Sequence, residues 1–160
     1  MSGTLQGLVL ATAIGCGLNA GAFFTFSTFT MAGLARLPAP QGIAAMQSIN
    51  VTAPTPAFMT LLFGTGLLAL VTGGFALASW GDDGAPLVVA GCVLYVLGTI
   101  VVTGAANVPR NNHLAGIDPE HRDAPGEWVR YVTEWTAWNH VRTLSGAAAA
   151  VLLTVALMMV

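Results

Sequence analysis

Lysine is absent from this chain, and charge of either sign is scarce. Of 160 residues, five are arginine and seven are acidic, so 8% of the chain is charged, where an ordinary soluble domain carries about 25%. A solvated surface of mixed charge cannot be built from so few ionic groups, which excludes a soluble globular domain. The formal charge of −2 excludes nucleic acid as a partner, because phosphate-backbone binding needs a basic footprint. Intrinsic disorder requires low hydrophobicity and high charge, the reverse of this composition. The two cysteines, Cys16 and Cys92, lie far apart with no CxxC pair, so they read as small packing residues. His113, His121 and His140 lack the short gaps of familiar ligand sets, and no metal site is assigned. No glycine-rich phosphate loop, nucleophile elbow or sustained heptad repeat occurs.

What is present is apolar: 55% of residues are hydrophobic, and the mean hydropathy is +0.74. A bilayer core about 30 Å thick takes roughly 20 apolar residues in a helix. Four stretches suffice, at residues 5–34, 58–80, 86–106 and 141–160. Lipid offers no partner to backbone N–H and C=O groups, so all four should be helical. The expected fold is all-α, an integral-membrane four-helix bundle forming one domain over residues 1–160. The first stretch exceeds one crossing and should tilt or project. It is too long for a secretory signal and has no basic start, so it reads as a retained span.

The connections are unlike one another. Residues 41–50 form a short amphipathic helix, with Ile43, Met46, Gln47 and Asn50 on one face, expected to lie at the interface. Residues 107–140 form a polar, aromatic-rich cap between the third and fourth spans, holding most of the charged residues, every histidine and three of the four tryptophans. All five arginines fall in or beside these two connections, which the positive-inside rule assigns to the cytoplasmic side of a multi-pass cell-membrane protein. Gly7, Gly15, Gly17, Gly21, Gly91, Gly98 and Gly104 are expected to let helices approach closely, and such small-residue faces permit a homo-oligomer.

Candidate chemistry concentrates in the cap. On a helix, Trp128, Tyr131, Trp135, Trp138, Asn139 and Arg142 fall within about 60° of Trp135. An interfacial aromatic belt would explain the rings. It does not explain an asparagine and an arginine on the same side, which need partners or a polar cavity. Pro109 is expected to end the third helix, with Asn107 and Asn111 brought toward the stripe. Asp123 is the expected N-cap of the stripe helix, and Glu127, Arg130 and Glu134 have the spacing of surface ion pairs. His140 lies off the stripe and would act as a base only if the helix were irregular there.

Phe23, Phe24, Phe26 and Ser27 after Ala20-Gly21, the run Ala44-Ala45-Met46-Gln47-Ser48-Ile49-Asn50, the turn Asn107-Val108-Pro109-Arg110-Asn111 with Leu114, and Trp135-Thr136-Ala137-Trp138-Asn139-His140-Val141-Arg142 together resemble the anthrone oxygenase-like family of small membrane proteins. Arg110 departs from the aliphatic residue expected there. The resemblance implies oxidation of a hydrophobic anthrone or other phenolic polyketide to a quinone, with O₂ as co-substrate and no other cofactor. It implies a slot of Trp128, Tyr131, Trp135 and Trp138. Asn107, Asn111, Asn139 and Arg142 would be donors to an enolate oxygen, and His140 the base, with Tyr131 second. The spans would admit such a substrate from the lipid bilayer. Two rival readings stand: a non-catalytic membrane module binding a lipid or quinone, and a metal or haem oxidoreductase using His113, His121 or His140.

Overall fold

A computed structural model describes residues 1–159, which among themselves form helices and no strands. The long helices are α1 (Gly3–Leu34), α3 (Pro56–Ala78), α4 (Ala85–Ala115) and α5 (Ala124–Met158), each long and apolar enough to cross a membrane. The shorter α2 (Ala39–Thr52) joins α1 to α3. Each long helix packs on two others, in the cyclic order α1, α3, α4, α5. The protein is an all-α, multi-pass membrane bundle.

Caps start these helices where the sequence supplies them. Ser2 Oγ accepts from Leu5 N at 3.3 Å and Thr55 Oγ1 from Phe58 N at 3.2 Å, satisfying donors that a first turn otherwise leaves free. Pro56 then sits in the first turn of α3, where its missing N–H costs nothing. Before α4, Gly84 has φ +84°, and a Cβ there would meet Ala156 O at 3.0 Å, so this tight turn requires glycine.

Two cores lie at opposite ends of the bundle. One is assembled from small and aliphatic residues, including Val9, Cys16, Ala69, Val88, Cys92 and Leu153, with Tyr95 donating to Leu62 O at 3.0 Å. Both cysteines are buried there as packing residues. Close approach is concentrated at Gly15 against Thr65, Gly91 against Leu153 and Gly98 against Ser145. Gly7, Gly21 and Gly104 have nothing within 4 Å of a would-be Cβ, so they do not serve the packing expected of them. The other core, Met31, Ile43, Met46, Leu114, Trp128, Tyr131 and Trp135, joins α2 to the ends of α1, α4 and α5.

Several boundaries differ from the sequence reading. The residues expected as a separate cap are mostly prolongations of α4 and α5, and only the connection of residues 116–123 leaves helix. Pro109 does not end α4. It follows a wide, π-helical turn at Thr103–Asn107, and the helix continues through Val108–Ala115. A wider turn relieves the clash between a proline ring and the carbonyl four residues earlier, and makes the missing N–H tolerable. Further π-helical turns occur at Phe26–Thr30 in α1 and Val96–Val101 in α4. The amphipathic face of α2 packs on protein: Ile43 and Met46 are buried, and Gln47 Nε2 donates to Leu114 O and Ile117 O, both at 2.9 Å. Asp123 holds the N-cap position of α5 without a side-chain capping bond.

Candidate functional site

Because α5 is regular from Ala124 to Met158, heptad-like spacing puts Trp128, Tyr131, Trp135, Asn139 and Arg142 on its inner face, and all five are buried. Trp128 stacks on Tyr131 with ring centroids 5.8 Å apart, and Tyr131 on Trp135 at 6.3 Å. The end of α4 docks on this ladder through two asparagines. Asn107 Nδ2 donates to Trp135 O at 3.1 Å. Asn111 Oδ1 accepts from Tyr131 Oη at 2.9 Å and from Trp135 Nε1 at 2.7 Å. The exit of α4 and the approach of α5 to the membrane are therefore fastened side by side.

One turn further along α5, Asn139 holds Arg142. Its amide nitrogen donates to Phe23 O and Ser27 Oγ, both at 2.7 Å, so its oxygen is turned to accept from Arg142 Nη2 at 2.6 Å. Arg142 Nη1 donates to Thr103 Oγ1 at 3.4 Å. The guanidinium lies 4.2 Å from the Phe23 ring centroid and 5.1 Å from that of Trp135, a sandwich that favours a desolvated cation. Arg142 is only 5% exposed. No carboxylate pairs with it among the described residues, and its Nε has no partner. A buried, unpaired cation is costly unless it faces something that balances it.

What it faces is a cavity of about 440 Å³ lined by residues of all five helices. Phe23 and Phe26 from α1, Met46, Ile49 and Asn50 from α2, Phe58, Met59 and Leu62 from α3, Thr103 and Asn111 from α4, and Trp135 and Arg142 from α5 line it. The size suits one small organic ligand, and the wall is apolar with few polar points. Ala53, Pro54, Phe63 and Val108 line it while remaining exposed, so it opens to the outside of the bundle.

The expected site residues thus divide. Asn111, Trp135 and Arg142 line the cavity, while Asn107, Asn139, Tyr131 and Trp128 are buried behind them as their supports. Trp138 and His140 do not line this cavity. Trp138 is 40% exposed and lies under the Arg110 guanidinium at 5.9 Å, on the outer side of the ladder. His140 is exposed in a separate groove with Ser27, Thr133 and Thr136. The irregularity that would have turned it inward is absent from α5. Arg110, the departure from the expected pattern, is taken up by Glu134 at 3.0 Å and Ala106 O at 2.9 Å. Glu127 binds Arg130 at 2.6 Å and His113 at 2.9 Å on the outside. Among the described residues no three His, Cys, Asp or Glu side chains stand together as a metal-ligand group.

Sequence reasoning missed Phe23, Met46, Asn50 and Phe58 as walls of the cavity. The amphipathic pattern of α2 announced a buried face, but nothing local said that a cavity lay beneath it.

The fold and cavity define a class: a multi-pass membrane bundle holding an apolar, ligand-sized chamber with one buried cation. The chain belongs to the anthrone oxygenase family, whose model matches residues 44–152, from within α2 to near the end of α5. An oxygenase-type function follows at the level of the family. No curated protein and no solved structure matches the chain.

Proposed function

We propose that this protein oxidises an anthrone-like or other phenolic polyketide to a quinone with O₂, using no resident cofactor. The observation that carries the reading is Arg142, a buried guanidinium with no acidic partner, forming part of the wall of an apolar cavity. Such a group binds the conjugate base of the substrate far better than the neutral form, which lowers the cost of proton loss. The ring-activated CH₂ of the anthrone loses a proton, and the carbanion delivers its electrons to O₂ with formation of a C–O bond. Reprotonation gives a hydroperoxide. The O–O bond then breaks with loss of the remaining hydrogen on that carbon, so one oxygen stays as the new carbonyl and the other leaves in water.

Asn139 positions the guanidinium, while Asn107 and Asn111 fix the ladder on which Trp135 presents its ring. Among the described residues no carboxylate or imidazole lines the cavity, so the proton passes to water and His140 takes no part. Substrate enters from the bilayer. The arginines crowd the cavity end of the bundle, which we place on the cytoplasmic side.

The test uses metal-stripped protein in lipid nanodiscs supplied with anthrone. Quinone absorbance and oxygen uptake should rise together, one O₂ per quinone. A rate no greater than that of empty nanodiscs would sink the reading.

A further inference from the structure

The polar atoms of the cavity wall are unevenly used. Asn111 spends its carbonyl oxygen on two donors, Tyr131 Oη and Trp135 Nε1, which fixes the amide and leaves Nδ2 as the part free to serve the cavity. Asn50 also lines the cavity, and its buried Nδ2 has no hydrogen-bond partner. Thr103 Oγ1 is occupied, giving its proton to Thr99 O and accepting from Arg142. The buried donors of the wall left without a partner are Arg142 Nε and Asn50 Nδ2. Asn111 and Arg142 are separated by one indole, for Asn111 holds the Nε1 edge of Trp135 while Arg142 lies over its face. An unmet buried donor is expensive, so the occupant should bring acceptors to both places.

We propose that the cavity is a two-ended site for a planar para-quinone, with one carbonyl at Arg142 and the other at Asn50 and Asn111. The proposal rests on the oxygenase reading and extends it: Arg142 takes the oxygen already on the ring, and the amides receive the oxygen that the reaction adds. The neutral substrate, which has CH₂ at that position, leaves the amides unmet. The product quinone satisfies both ends and is therefore the tighter ligand.

The experiment is equilibrium retention of two ring systems of similar size by protein in nanodiscs, with empty nanodiscs subtracted. Anthraquinone carries a carbonyl at each end, whereas thioxanthone replaces one carbonyl with a weakly accepting sulfur. Wild-type protein should prefer anthraquinone by about tenfold, the worth of one or two hydrogen bonds. Asn50→Leu removes one amide donor, and Asn111→Asp keeps the oxygen acceptor for Tyr131 and Trp135 while removing the other. Each should erase most of the preference and leave thioxanthone retention nearly unchanged, whereas Arg142→Met should weaken both ligands. Equal retention of the two ligands by wild type, no retention of either, or Asn50 and Asn111 variants that weaken both alike would overturn the two-ended site. Anthrone turnover measured on the same preparation separates the two readings. Turnover without discrimination removes only the quinone site, and absence of turnover removes the oxygenase reading.

Discussion

Replacing Arg142 by methionine should separate stability from activity. In the folded protein the guanidinium makes a bond to Asn139 Oδ1 at 2.6 Å and lies between the rings of Phe23 and Trp135 at 4.2 and 5.1 Å. The bond to a charged group is worth about 1.5–3 kcal/mol, and the ring contacts add about 1–2 kcal/mol. Against this stands the desolvation of an ion that is 5% exposed and has no acidic partner, a cost of several kcal/mol. The opposing effects nearly cancel, so Arg142→Met, similar in length and apolar, should unfold within about 2 kcal/mol of wild type. Activity should behave differently, because losing one preorganised donor at a developing oxyanion costs about 10²–10³ in rate. Arg142→Lys keeps the charge but loses the planar fork that reaches Asn139 and Thr103, and should fall between the two. Thermal unfolding in detergent, measured beside quinone formation, is the assay. A variant destabilised by more than about 4 kcal/mol would make Arg142 a structural strut, and one turning over within about tenfold of wild type would remove it from the chemistry.

Other changes probe the frame around the site. His140→Ala should leave quinone formation unaltered and change stability by no more than about 0.5 kcal/mol, since the ring is exposed outside the cavity. A hundredfold loss of rate, roughly what removal of a general base costs, would restore it as the base. Gly42→Ala should cost about 1–3 kcal/mol in thermal unfolding, because its Cβ would come 2.7 Å from Trp128 Cε2. Unchanged stability there would mean that α2 does not sit as described. Gly98→Ala should be destabilised by a similar amount through its clash with the Ser145 side chain, and Ser145→Gly in the same protein should restore much of the loss. If the double variant is no better than the single, the two helices do not meet at that point.

The sequence alone determined the membrane bundle, because four long apolar runs, three of them without any charge, leave the backbone no partners except its own, whatever surrounds them. Periodicity also placed Trp128, Tyr131, Trp135, Asn139 and Arg142 on one face of a helix, since a regular helix turns each residue by a fixed angle. It placed His140 off that face as well. The failures arose where the outcome depends on chain segments far apart. Pro109 reads locally as a stop, yet the wide turn at Thr103–Asn107 carries α4 past it. Trp138 falls within the arc of the stripe, but Arg110 from α4 covers it on the outside. The small residues Gly7, Gly21 and Gly104 look like packing positions until the neighbouring helices are known to lie elsewhere. Only tertiary structure decided that α2 folds back over the ladder and that Phe23 lies against Arg142. The resulting chamber is lined by atoms from every helix. A helix face is a local property of covalent geometry, whereas a cavity is the space left over when separate helices pack.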